Sequence, residues 1–240
     1  MYDPRQRLIV ALDVSSAAAA QKIVAAVGDS ASCYKVGMQL YSAEGPRVVR
    51  DLVASGRRVF LDLKYHDIPN TAAAAVREAA SLGVSMLTIH ASGGGKMMRA
   101  ATEAARTANA ALMILAVTVL TSFDDSDLDE LGLHGCVQDQ VLRLSALALA
   151  NGCQGVVASA REAPALRREL KGEFAIVTPG VRPAGAEPGD QARVATPAEA
   201  IAAGATHIVV GRPITAAADP AGEARAILSQ ISFSPERGIA

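Results

Sequence analysis

Short apolar runs alternate with alanine-rich helical stretches along the whole 240-residue chain, and this rhythm constrains the fold more than any other feature. Candidate strands fall near residues 7–13, 33–38, 58–64, 85–91, 112–119, 154–159, 174–179 and 206–211. Eight strands separated by helical stretches predict a closed (β/α)8 barrel of the TIM type. The competing α/β arrangement is an open doubly wound sheet. Its first strand usually runs into a glycine-rich turn, whereas here the turn reads Asp13-Val14-Ser15-Ser16.

Local signals agree with the barrel. The Asp13–Ser16 turn offers a cap for a helix over Ala17–Val27, which Gly28 ends. Thr196-Pro197 supplies an N-cap and first helical residue for Ala198–Ala203, with Gly204 just beyond. The chain is 50% hydrophobic but only 3% aromatic and has no tryptophan, so its core must be built from Ala, Val, Leu and Ile, which suit helices on parallel strands. Residues 1–240 are expected to form one domain.

A net charge of −1 with no basic tract argues against nucleic acid and anionic membranes as partners. Cys33, Cys136 and Cys153 have neither paired nor metal-ligand spacing and suit a reducing compartment. The first strand begins too early to leave room for a signal peptide. No apolar run approaches the roughly 18 residues of a membrane span. The expected location is the cytoplasm.

Two segments interrupt the rhythm, both at the expected C-terminal mouth of the barrel. Thr121-Ser122-Phe123-Asp124-Asp125 leads into a weak acidic turn before a helix over residues 136–150. The segment from Pro179 to Gln191 is polar and rich in glycine and proline, as expected of a loop that closes over a site as a lid.

Strand ends converge on one mouth in such a barrel, so distant residues become neighbours. The first strand contributes Asp13, the second Lys35, the third Asp62 and Lys64, and the fourth His90. Thr121 and Ser122 follow the fifth, Arg182 the seventh, and Gly211 and Arg212 the eighth. Glycine lets backbone N–H groups approach an anion and arginine pairs with it bidentately, so Gly211-Arg212 is a candidate phosphate site, with Gly180, Arg182 and Gln191 completing the grip. A histidine at a strand end is often only a hydrogen-bonded core residue, so His66 and His90 stay outside the catalytic set.

The densest chemistry lies in Phe60-Leu61-Asp62-Leu63-Lys64-Tyr65-His66-Asp67-Ile68-Pro69-Asn70-Thr71. Along a strand, Asp62 and Lys64 share one face about 7 Å apart, while Leu61 and Leu63 occupy the other. Ions are costly to bury unless paired, so these charges are either functional or a structural ion pair closing the strand. Lys35, inside Cys33-Tyr34-Lys35-Val36-Gly37-Met38, also demands a carboxylate partner. Asp62 and Asp67 come with two lysines rather than further oxygen ligands, which speaks against a metal site.

Asp62-x-Lys64-x-x-Asp67 followed by Ile68-Pro69-Asn70-Thr71 resembles the signature of the orotidine 5′-phosphate decarboxylase family. Ala11-Leu12-Asp13, Tyr34-Lys35-Val36-Gly37, Val119-Leu120-Thr121-Ser122, Thr178-Pro179-Gly180-Val181-Arg182 and Val209-Val210-Gly211-Arg212-Pro213-Ile214-Thr215 resemble its bacterial members in the same order. The resemblance implies a homodimeric barrel that converts orotidine 5′-phosphate to UMP and CO2 without cofactor or metal. By that resemblance Lys64 would be the proton donor, and Asp62 would lie near the substrate carboxylate. Asp13 and Lys35 would hold the ribose hydroxyls. Asp67 and Thr71 would reach into the partner subunit's site, with Ile68 also touching substrate. Thr121 and Ser122 would lie by the pyrimidine, and Gln191, Gly211 and Arg212 at the phosphate. An alternating Lys35, Asp62, Lys64, Asp67 array would keep each lysine charged. Tyr65 stands where phenylalanine is frequent in the family, and its side chain is expected to point away from Lys64.

Two other readings compete. A sister group of sugar-phosphate decarboxylases and aldolases uses the same motif to bind Mg²⁺, but it looks for an acidic residue where this chain has Lys35, whose charge would repel the ion. A non-catalytic phosphate-binding barrel would keep the pocket without the chemistry.

Overall fold

The computed structural model describes residues 4–183 and 195–232. Eight parallel strands close into a barrel in sequence order: β1 (Leu8–Ala11), β2 (Cys33–Gly37), β3 (Arg58–Tyr65), β4 (Met86–His90), β5 (Met113–Val117), β6 (Gly155–Val157), β7 (Ala175–Thr178) and β8 (His207–Val210). β8 pairs with β1 through Leu8 opposite Ile208, which completes the ring. All eight expected strands are present, and the open-sheet alternative is ruled out.

The helices of the outer layer are α1 (Ala17–Val27), α2 (Met38–Glu44), α3 (Pro46–Ala54), α4 (Pro69–Ser81), α5 (Gly94–Ala108), α6 (Asp125–Glu130), α7 (Val137–Ala150), α8 (Ala163–Glu169), α9 (Pro197–Ala203), α10 (Arg212–Thr215) and α11 (Pro220–Ser232). Ser16 caps α1 by accepting a hydrogen bond from the Ala19 N–H at 3.2 Å, and Gly28 follows it with φ 57°. Thr196 and Glu199 form a reciprocal capping box at the start of α9. The acidic stretch read as a weak turn is instead helical: Asp124 and Asp127 satisfy each other's backbone N–H groups and start α6. Its first turn carries Asp125 and Asp127, which suit the positive helix N-terminus.

The period-two geometry of each strand divides the core in two. Ile9, Ala11, Cys33, Phe60, Met86, Leu115, Ala175, Val177 and Val209 fill the barrel interior. Leu8, Val10, Tyr34, Val36, Leu61 and Leu87 face outward against the helices. Small residues let the alanine-rich helices approach closely, which explains how a core almost free of aromatics closes. Burial pushes the thiols of Cys33 and Cys153 up to about 12, so both act as apolar packing residues.

Inward-facing positions change character toward the C-terminal mouth. Two residues beyond the interior side chains Ala11, Cys33, Phe60 and Val209 come Asp13, Lys35, Asp62 and Gly211. The strand pleat thus places a polar layer directly above an apolar floor. No helix among the described residues is long and apolar enough to cross a membrane.

Candidate active site

A cavity of about 520 Å³ opens at this mouth, lined by Asp13, Lys35, Asp62, Lys64, Thr121, Gly180, Arg182, Gly211 and Arg212 together with Ala11, Pro179, Val181, Val209, Pro213 and Thr215. It gathers residues from six different strand ends, as the barrel topology requires.

Its charges form a chain. Lys35 Nζ lies 2.7 Å from Asp13 Oδ1 and 3.9 Å from Asp62 Oδ2, and Lys64 Nζ lies 2.9 Å from Asp62 Oδ1. The Lys35, Asp62 and Lys64 side chains are 13%, 15% and 25% exposed, whereas Asp13 is 58% exposed. The two lysines therefore share one shielded carboxylate, which offsets the cost of withdrawing them from water.

Lys64 does not continue a regular strand. Between Leu61 and Tyr65 the β3–β4 register shifts: Leu61 opposes Leu87 while Tyr65 opposes Ile89, so β3 carries two extra residues. Within this bulge Lys64 has φ 53°, the left-handed conformation that costs a side-chain-bearing residue roughly 1–2 kcal/mol. Among the described residues it is the only non-glycine with positive φ. The bend brings Nζ to Asp62 instead of leaving the two side chains parallel along a pleat. Tyr65 packs with the outer core, away from the cavity, as expected.

Thr88 escaped the sequence reading. It is fully buried in β4, accepts a hydrogen bond from the Lys64 backbone N–H at 2.9 Å, and donates one to Asp62 Oδ1 at 3.0 Å. The available signal was its place two residues after the inward-facing Met86, as a polar group in an otherwise apolar strand interior. His90, two residues further on, is half-buried, and its pKa is lowered chiefly by burial, then by His66 and Lys64. Its ring centroid lies 5.4 Å from that of His66.

At the opposite wall, the Arg182 N–H donates to Ala195 O at 2.9 Å, and Val181 pairs with Ala195 in an isolated bridge. Arg182 is 8% exposed, and its Nε is buried without a hydrogen-bond partner among the described residues. Gln191 and most of the expected lid lie outside the described residues.

Four expected site residues stand apart from this cavity. Ser122 is exposed in a turn beside Thr121. Asp67 is exposed and accepts a hydrogen bond from the Ile68 N–H at 2.6 Å. Ile68 is 68% exposed, and Thr71 is exposed in the first turn of α4. Within one chain the expected array therefore runs Asp13, Lys35, Asp62, Lys64, without Asp67.

Fold and site together define a (β/α)8 barrel with an alternating Asp–Lys chain and an arginine-lined wall at its C-terminal mouth. Residues 6–227 match the model of the orotidine 5′-phosphate decarboxylase / HUMPS family, and the chain belongs to that family. It is 53% identical over 226 residues to the orotidine 5′-phosphate decarboxylase of Halorhodospira halophila, covering 94% of this chain and 96% of that one. The corresponding protein of Moorella thermoacetica is 51% identical over 235 residues, covering 95% and 93%. Among solved structures, orotidine 5′-phosphate decarboxylase from Lactobacillus acidophilus superposes with a TM-score of 0.85 at 37% identity, covering 93% of this chain and 98% of the other.

Proposed function

We propose that this protein is a carboxy-lyase that converts orotidine 5′-phosphate to UMP and CO2 in the cytoplasm, acting as a single barrel domain without metal or cofactor. The observation that carries this reading is the Asp13–Lys35–Asp62–Lys64 chain in the same cavity as Arg182, Gly211 and Arg212. One end of the cavity suits ribose hydroxyls and a reacting carboxylate; the other suits a phosphate.

The reaction explains the residue types. The C6–carboxylate bond breaks heterolytically, and its electron pair stays at C6 in the plane of the ring, where the π system cannot delocalise it. Stabilisation must therefore be electrostatic, and a fixed ammonium provides it. Lys64 stabilises the developing carbanion and then transfers its proton to C6, giving UMP. Asp62 repels the substrate carboxylate, and the repulsion is relieved as CO2 leaves. Asp13 and Lys35 hold the ribose hydroxyls, and Thr121 lies by the pyrimidine, with Ser122 in the adjoining turn. Gly180, Arg182, Gly211 and Arg212 bind the phosphate with Gln191, so remote binding energy supports the chemical step. Asp13 and Asp62 are each held beside a lysine, a poor donor set for a divalent cation.

Asp67, Ile68 and Thr71 fit a homodimer in which the start of α4 completes the partner subunit's site. Mixing inactive Lys64→Ala protein with inactive Asp67→Ala protein should restore part of the activity if sites are shared, because each mixed dimer carries one intact site.

The deciding assay follows loss of the ultraviolet absorbance of orotidine 5′-phosphate in excess EDTA, with UMP confirmed as product. Turnover in EDTA supports the reading. No turnover, with activity on a sugar phosphate restored by Mg²⁺, assigns the chain to the sister branch; inactivity under both conditions indicates a binding protein.

A further inference from the structure

We propose that Thr88 is a positioning residue that sets the Asp62–Lys64 pair for proton transfer. The inference rests on the decarboxylation proposed above. A single hydroxyl makes both bonds: it accepts from the Lys64 backbone N–H at 2.9 Å and donates to Asp62 Oδ1 at 3.0 Å. An ionised carboxylate only accepts hydrogen bonds, so the hydroxyl proton must point toward Asp62, leaving its lone pairs for the Lys64 N–H.

This arrangement answers two local problems at once. The bulge in β3 interrupts the ladder to β4 between Leu61 and Tyr65, and Thr88 gives the Lys64 N–H a buried acceptor there. Asp62 Oδ1 meanwhile lies 2.9 Å from Lys64 Nζ, so the same carboxylate oxygen is held by the threonine hydroxyl and by the ammonium. Backbone and side chain of Lys64 are thus referenced to one point on β4. The left-handed conformation at Lys64 persists only where its surroundings over-determine it, and Thr88 is a buried group placed to do that. Thr88 is absent from the cavity lining, so it acts on substrate through Asp62 and Lys64.

The test compares Thr88→Val, which keeps shape but loses both hydrogen bonds, with Thr88→Ser, which keeps the hydroxyl. We expect Thr88→Val to lower kcat about tenfold or more, while KM and UMP affinity each change by less than about threefold. Thr88→Ser should recover most of kcat. A Thr88→Val protein with a wild-type kcat, or a Thr88→Ser protein as impaired as Thr88→Val, overturns the proposal. Should Thr88→Val not fold, Thr88→Ala takes its place under the same criteria. A crystal structure of the valine or alanine variant provides a reading independent of activity. Lys64 is expected to leave its positive φ or to move its Nζ away from Asp62, and an unchanged Lys64 overturns the positioning role. An inactive wild-type protein instead refutes the decarboxylase reading, and this structural comparison still decides the role of Thr88.

Discussion

Lys35 Nζ sits 2.7 Å from Asp13 Oδ1, tying the segment just past β1 to the middle of β2, where Lys35 itself opposes Ala11 in the last shared ladder pair. The space for this contact exists because position 37 is glycine. A Cβ on Gly37 would stand 2.9 Å from Lys35 Nζ and 3.4 Å from Asp13 Oδ1. Gly37 has φ −95°, so alanine there incurs no backbone strain and acts only by displacing the ammonium. Gly37→Ala should therefore raise KM for orotidine 5′-phosphate several-fold with little change in Tm. Steady-state kinetics beside a thermal melt check this.

Lys64→Ala should lower kcat by about a thousandfold or more, since it removes both the fixed charge and the proton donor. Its circular dichroism spectrum should match wild type, because the lysine lies at the cavity and not in the core. Near-normal UMP formation would refute its role as donor.

Arg212 stands at the rim of the cavity beyond β8. Losing a charge-assisted phosphate contact costs about 1.5–3 kcal/mol, so Arg212→Ala should lower kcat/KM roughly 10- to 100-fold. Orotidine lacking the phosphate should be turned over equally by both proteins. A variant with unchanged kcat/KM on the phosphorylated substrate would remove Arg212 from the phosphate site.

His207 gives a pH dependence unrelated to catalysis. Burial first, then the charges of Arg58 and Arg7, lower its pKa from 6.5 to about 4. The folded protein therefore holds His207 neutral where the unfolded chain protonates it. Its share of stability is complete above about pH 6.5 and is lost as pH falls toward about 4, amounting to roughly 3 kcal/mol across that window. The Tm of wild type should fall over this range more steeply than that of His207→Gln. Parallel curves would contradict the assignment.

Much of this molecule is legible in its sequence, for identifiable reasons. The eight strands are short apolar runs between polar turns, and the caps at Ser16 and Thr196 use side chains that satisfy orphan N–H groups locally. Asp13, Lys35 and Asp62 follow from the same pleat, being the inward positions next toward the mouth after Ala11, Cys33 and Phe60. The pleat argument fails at Lys64, because a bulge is a relation between two strands and β3 alone carries no sign of it. Thr88 was hidden because a lone threonine suits a strand for its β-branch as readily as for its hydroxyl. The α6 helix was missed because Asp124 and Asp127 cap it in a stretch whose composition reads as a turn.

The apolar floor beneath the charged layer has an electrical consequence. Phe60, Met86, Leu115, Val177 and Val209 fill the interior with weakly polarisable matter, so the barrel behaves as an insulating plug beneath a set of fixed ions. Asp13 and Asp62 largely balance Lys35 and Lys64, so with Arg182 and Arg212 the lining is net positive, and that net field finds little to terminate on below and is directed outward through the open mouth. The same packing that closes the barrel thus makes the cavity a funnel for dianions. Association with a phosphorylated ligand should accordingly be faster than with its neutral analogue and should slow as ionic strength rises.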